Sequence, residues 1–250
     1  MRVSYMSIGN EIYKAASDVP MDSAADYPPM GLIHDVNRTQ ILNKLAELGF
    51  ACTDFGLVPN NFGDLQRILG KAIEDGDEFI ITAGGTSPSG FNNLLRDALR
   101  SLGCKIHFEH VKVKPGSSTT FATVKNSRGN RRFIFSLSGN PVSAFVAMEV
   151  FVIPFLKQKA GYKQPRSTKI FLHMNEKVAL DEERPEFRRA KLEVRERKQW
   201  ACDTFPTESS SSSLLTLRDC NLLVILPKGS EQKQFVEVDE CVEALVIGAV

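Results

Sequence analysis

The stretch Ser136-Leu137-Ser138-Gly139-Asn140-Pro141-Val142-Ser143-Ala144 decides the reading of this chain. It follows an apolar run, Phe133-Ile134-Phe135, and leads into an apolar segment from Val142 to Phe155. Asn140 is a candidate N-cap, and Pro141 takes the first helical position, where a missing N–H is harmless. Gly139 lets a ligand come close to the backbone, and the unpaired N–H groups of a helix start attract anions. The stretch reads as a strand, a turn and a helix that together cradle a phosphate. A well-capped buried helix would carry the same pattern.

Two further turns share its composition. Gly84-Gly85-Thr86-Ser87-Pro88-Ser89-Gly90 follows the apolar run Phe79 to Ala83, and Lys114-Pro115-Gly116-Ser117-Ser118-Thr119-Thr120 follows the stretch Ile106 to Val113. Small-residue turns at three strand ends predict one ligand-binding edge of an open sheet, since such sheets bind ligands beyond the carboxyl ends of their strands.

The surrounding periodicity supports that sheet. Val3 to Ser7 and Thr53 to Val58 read as strands, and Phe79 to Ala83 as a strand buried on both faces. Helices are predicted from Asn37 to Gly49 (Ile41, Leu42, Leu45, Leu48), through Leu65, Ile68, Leu69 and Ile73, and from Leu94 to Leu102. Asn126 to Asn130 reads as a hairpin turn between strands 119–125 and 131–137. This alternation predicts an α/β domain over residues 1–161, with a mostly parallel sheet and helices on both faces.

Beyond Gly161 the pattern becomes short strands: Lys169 to His173, Phe187 to Val194, Asn221 to Leu226, Gln234 to Val238 and Glu243 to Ile247. Residues 162–250 therefore read as a small all-β, barrel-like domain. The run Ser209 to Ser213 reads as a surface loop rather than a nucleophile, because no histidine pairs with it in the sequence.

A formal net charge of +1 gives no polyanion signature and argues against nucleic acid as a partner. Cys52, Cys104, Cys202, Cys220 and Cys241 are scattered without metal spacing, so they read as reduced, mostly buried thiols of a cytoplasmic protein. Val142 to Leu156 contains Glu149 and reads as too short to cross a bilayer. Met1 to Met6 reads as a first strand rather than a signal peptide, as if the chain continued a larger protein.

The chain resembles the last two subdomains of the molybdopterin molybdenumtransferases, the bacterial MoeA enzyme and the E domain of gephyrin. The resemblance rests on Met6-Ser7-Ile8-Gly9-Asn10-Glu11, Ile33-His34-Asp35-Val36-Asn37-Arg38, Gly84-Gly85-Thr86-Ser87 and Lys114-Pro115-Gly116. It continues through Thr119 to Thr123, Leu137 to Ala144, Arg184-Pro185-Glu186-Phe187 and Leu245 to Gly248. It implies a MoaB/Mog-like three-layer domain, a following β-barrel-like domain and a homodimer. It also implies two further subdomains ahead of this segment in family members.

The ligand implied is molybdopterin or its adenylylated form, into which family enzymes insert molybdate. By the same resemblance, Gly84, Gly85, Thr86, Ser87, Pro115, Gly116, Ser117, Ser118, Ser138, Gly139, Asn140 and Pro141 would face it. Asp35 is the carboxylate that would handle a metal or a proton; its other reading is a turn ahead of the Asn37 helix. Glu11 faces the same choice between site and solvent.

The chain also departs from the family pattern. Asn92 and Asn60 stand where the family carries acidic residues, and an amide is a poor ligand for a hard dication and cannot act as a base. Ser117-Ser118 and Ser138 replace family residues in their turns. These changes imply weakened or lost catalysis and argue against a magnesium site. The alternative is a non-catalytic, gephyrin-like scaffold for a protein or peptide partner, gripped through Phe187 and Pro227. Plain strand packing is the other reading of Phe187.

Overall fold

A computed structural model describes residues 1–13, 28–86, 93–195, 198–203 and 213–249. Ser87, Asn92 and Ser209 to Ser212 lie outside the described residues. The chain folds into two compact units, one of residues 1–110 with 118–140, the other of residues 111–117 with 141–250.

The first unit is built on a six-stranded sheet of order β2-β1-β3-β6-β5-β4. Its strands are β1 (Arg2–Ile8), β2 (Ala51–Val58), β3 (Phe79–Gly84), β4 (Lys105–Phe108), β5 (Thr120–Lys125) and β6 (Arg131–Leu137). β1, β2, β3 and β6 run parallel, and β4 and β5 are antiparallel to their neighbours. The helices are α1 (Val36–Glu47), α2 (Phe62–Asp75) and α3 (Leu94–Ser101).

Strand alternation divides the core. Met6, Ile8, Ile80 and Ile134 join Leu65, Leu69, Leu95 and Leu99 of α2 and α3 in one apolar cluster. Val3 and Tyr5 point to the opposite face and are fully buried. The charge of Arg38 on α1 reaches the Tyr5 hydroxyl there. Every residue of β3 is buried, as its unbroken apolar run requires of a central strand.

Two boundaries move from their sequence expectations. α1 opens one residue early, because the Asp35 carboxylate accepts from the Arg38 N–H as N-cap and places Asn37 inside the helix. The strand expected over 106–113 ends at Phe108. Beyond it the Val111 and Val113 N–H groups bond to Ser117 and Val111 carbonyls, a local turn that β-branched composition alone does not reveal.

The second unit contains a closed barrel of order β10-β7-β13-β11-β9, from β7 (Lys169–Met174), β9 (Glu186–Arg195), β10 (Lys198–Asp203), β11 (Leu222–Leu226) and β13 (Cys241–Val246). The short β8 (Val178–Ala179) and β12 (Phe235–Val236) pair beside it. Leu172, Met174, Leu222, Val224 and Ala244 fill the barrel core. β10 closes the barrel by pairing with β9 on one side and, over two residues, with β7 on the other.

Helix α4 (Pro141–Lys159) also belongs to this unit and carries a π-helical turn at Met148–Val152. Its Val146 packs with Leu223 of β11 and with Ile247, one residue past β13. By length and composition α4 suffices to cross a bilayer, which corrects the expectation that it is too short. Half of its apolar window is buried within the protein, the pattern of a core helix.

The thiols also differ from expectation. Only Cys104 is buried; Cys52, Cys202 and Cys220 are half-buried and Cys241 is exposed. Burial raises the Cys104 thiol to about 12 and that of Cys220 to about 11, so neither is a thiolate at neutral pH.

Candidate functional site

Strand register brings the carboxyl ends of the parallel strands to one edge of the first unit. Ile8 pairs with Val58 and with Gly84, and Ala83 pairs with Leu137. β5 runs the other way, so its first residue, Thr120, pairs with Ser136 at the same edge. The turns Gly84–Thr86 and Ser138–Asn140 therefore start side by side, with Ser118 and Thr119 entering beside them.

Gly84 is fixed there by geometry. Its φ is +95°, and a Cβ would sit 2.0 Å from the Ile8 carbonyl oxygen. Gly139 packs in turn on Gly84, a Cβ there meeting the Gly84 Cα at 3.6 Å. The steric demand for glycine thus lies at Gly84, whereas 3.6 Å at Gly139 is an ordinary contact distance that leaves room for a methyl group.

Hydroxyls border these two turns. Thr86 Oγ1 donates to the Leu137 carbonyl at 3.4 Å and lies 3.5 Å from Ser118 Oγ. Ser138 Oγ accepts from the Asn140 N–H at 3.2 Å, which shapes the turn before Pro141. Ser118 is 5% exposed, while Thr86 and Ser138 are half-buried.

Asn37 is the residue that sequence reasoning missed. Its side-chain amide donates to the Gly139 carbonyl at 2.8 Å, across 102 residues, and its oxygen accepts from Gln40 at 2.9 Å. α1 thereby holds the Ser138–Asn140 turn from beneath. The available signal was a poor helix former just after the cap, where the bond from Gln40 is its one local gain among those described.

The structure places Asp35 at the N-cap of α1, which is the turn role its alternative reading described. The Glu11 carboxylate folds over Gly9, where a Cβ would meet its Oε2 at 2.7 Å. Asn60 donates its N–H to Asn10 Oδ1 at 2.8 Å, and its own amide oxygen is buried without a hydrogen-bond partner. Among the described residues no three His, Cys, Asp or Glu side chains gather where they could hold a metal ion.

Pro115, Gly116, Ser117 and Pro141 belong to the second unit. Gly116, at φ +102°, lies against α4, a Cβ there falling 3.3 Å from the Ser143 carbonyl oxygen. In the same unit Phe187 pairs with Ile225, two residues before the exposed Pro227. Phe187 is partly buried against Val146, Leu223 and Ile247, so packing accounts for much of it.

Comparison with known proteins fits this geometry. A family profile described as "Probable molybdopterin binding domain" matches residues 4–158, more than half of the chain. The chain belongs to this family. Within the molybdopterin-binding domain family it is 27% identical to gephyrin of Dictyostelium discoideum over 99% of its length. It is 30% identical to the molybdenum cofactor synthesis protein cinnamon of Drosophila melanogaster over 87% of its length. It covers 36% and 35% of those two relatives, about a third of each. A molybdopterin biosynthesis MoeA protein from Pyrococcus horikosii superposes over the whole chain and 55% of its own, with a TM-score of 0.76 at 21% identity. That likeness establishes a MoeA-like fold for both units.

Proposed function

We propose that this chain is the molybdopterin-binding part of a gephyrin- or MoeA-like protein of molybdenum-cofactor biosynthesis, with the insertion chemistry weakened or lost. The observation that carries the reading is the Gly84–Gly139 approach bordered by Thr86, Ser118 and Ser138. A terminal phosphate needs donors and close backbone, and this edge supplies both without a repelling carboxylate in the turns themselves.

In this reading Gly84 to Thr86 and Ser138 to Asn140 bind the phosphate and pterin. For Ser87, Pro115, Gly116, Ser117 and Pro141 the reading rests on the family resemblance alone. Molybdopterin, bare or adenylylated, is the ligand, and family enzymes supply the precedent for molybdate insertion. Asp35 is kept as the carboxylate for a proton or metal, a second use for a group that already caps α1. The amides Asn60 and Asn92 weaken any magnesium site. The protein acts as a homodimer in the cytoplasm.

Calorimetric titration with molybdopterin tests this. The intact protein gives saturable binding, and Ser118→Ala weakens it about tenfold by removing one charge-assisted hydrogen bond. Absence of binding by the intact protein would falsify the reading. Molybdate-dependent turnover as fast as that of a family enzyme would remove the claim of lost chemistry.

A second reading, a scaffold for a peptide partner, is favoured by one outward row of the barrel. Phe171, Glu243, Ile225 and Phe187 pair in sequence across β7, β13, β11 and β9, and Phe171 is 71% exposed. Co-purification of a peptide segment that is lost on Phe171→Ser would support it.

A further inference from the structure

The strands that close the barrel are not held equally. β10 pairs with β9 along its whole described length, from Lys198 with Arg195 to Asp203 with Ala190. On its other side it meets β7 only at Trp200 with His173 and Ala201 with Met174, in parallel register. Parallel pairing is the weaker kind per residue. Past those pairs the Asn175 N–H donates to the Ala201 carbonyl at 3.2 Å, the long end of the normal range. The core adds little. Among the described residues Ala201 is the one β10 member of the barrel's apolar cluster, where β7 supplies Leu172 and Met174 and β11 supplies Leu222, Val224 and Leu226. A methyl group removes far less apolar surface from water than those side chains.

Charged side chains complete this seam. Asp239 stands just ahead of β13, and its N–H donates to the Met174 carbonyl at 2.9 Å, which ties it to the end of β7. Its carboxylate pairs with the Lys198 ammonium of β10, and His173 Nδ1 of β7 lies 3.2 Å from it. The same Nδ1 is 2.9 Å from the Asp239 carbonyl, which can only accept, so that nitrogen carries a hydrogen. Lys198 Nζ also lies 4.8 Å from the centroid of the Trp200 ring, and the His173 and Trp200 rings are 6.0 Å apart. Arg195 adds a link from β9, its Nη1 donating to Asn175 Oδ1 at 3.2 Å. The bond from Lys198 holds the Asp239 carboxyl below its usual range, so the latch is charged at neutral pH. Asp239 is 56% exposed and Lys198 35%, so water and salt screen the pair strongly.

We propose that β10 is a detachable wall of the barrel: it parts from β7 while staying paired to β9, and the Lys198–Asp239–His173 latch sets how readily it does so. One side of β10 is a full antiparallel ladder. The other is a two-residue register, one methyl group in the core and a screened ion pair, so the second unit opens here before it opens elsewhere. Opening frees the backbone groups along the β7 edge, which the closed barrel conceals. The device belongs to the second unit alone and is independent of the molybdopterin reading.

Amide hydrogen exchange on the intact protein tests this. The Asn175 N–H reports on the seam, and the Val224 N–H, on a strand paired at both sides, reports on the barrel as a whole. Asn175 is expected to be protected about tenfold less than Val224, or less still. Lys198→Met keeps an apolar stem over Trp200 and removes the charge. It should lower the protection of Asn175 a further threefold, roughly, and leave that of Val224 unchanged. Raising salt from about 0.05 M to about 0.5 M should act in the same direction on the parent and add nothing in the variant. Trp200 is the only tryptophan in the chain, so its quenching by acrylamide should rise with salt alongside the exchange. Equal protection of Asn175 and Val224 in the parent overturns the proposal without any variant, because the barrel then opens only as a whole. Protection of Asn175 that responds neither to salt nor to Lys198→Met overturns it too, since the latch then governs nothing.

Discussion

The strand-end edge of the first unit and the barrel of the second handle exposed backbone in opposite ways. The barrel closes on itself through β10 and hides its strand edges, and Leu172, Leu222 and Val224 fill its core. The open sheet ends in glycine turns, Gly84 buried against the Ile8 carbonyl and Gly139 exposed, with hydroxyls at the rim. A region that stops at packing has no use for an exposed glycine turn, and the exposed Gly139 beside the half-buried Thr86 and Ser138 is what sets this edge apart from the barrel.

The largest effect that could break this contrast is expected from Gly84→Ala. The added methyl would meet the Ile8 carbonyl at 2.0 Å in a left-handed conformation. A loss of about 3 kcal/mol or more in denaturant unfolding should follow, with loss of molybdopterin binding. An unchanged unfolding midpoint would show that the edge is not tightly built. Leu222→Ala, deep in the barrel, should cost about 2–5 kcal/mol by opening a cavity. The folded protein should keep its affinity, and a large change in Kd would blur the division of labour.

Asn37→Ala is the sharper probe. It deletes the bond to the Gly139 carbonyl and should cost about 1–2 kcal/mol. Its affinity for molybdopterin should drop more than that of a surface alanine on the exposed side of α1. The smallest effect concerns acid. Backbone donors and the Lys114 and Arg184 charges hold the Asp181 carboxyl below its usual range, against the opposing pull of burial. A depressed carboxyl stabilises the fold above its ordinary value, about 3.9, and that contribution is lost as pH falls through the lower folded value. Asp181→Asn should therefore be less stable at neutral pH by about 1 kcal/mol and lose less between pH 5 and 2. Parallel acid curves for the two proteins would exclude Asp181 as a contributor.

What the sequence disclosed follows the range of the interactions. The buried run Phe79 to Ala83, the Asn126 to Asn130 hairpin and the helix beginning at Pro141 are set by local pattern, and all three occur. β10 went unread because Lys198 to Asp203 has little apolar alternation; β9 and β7 make it a strand by pairing. Thr86 was legible from composition, whereas its neighbours Ser118 and Leu137 come from 32 and 51 residues away. Asn37 reaching Gly139 is wholly tertiary and left only a faint local trace.

The division of the chain has a practical consequence for anyone cutting it. Residues 111–117 lie within the sequence of the first unit but fold with the second, so the chain passes between the units three times. No single cut separates one unit cleanly from the other. A fragment ending at Gly161 would keep the whole edge yet lack Glu186, the ion-pair partner of Lys114, and one starting at Pro141 would lack residues 111–117.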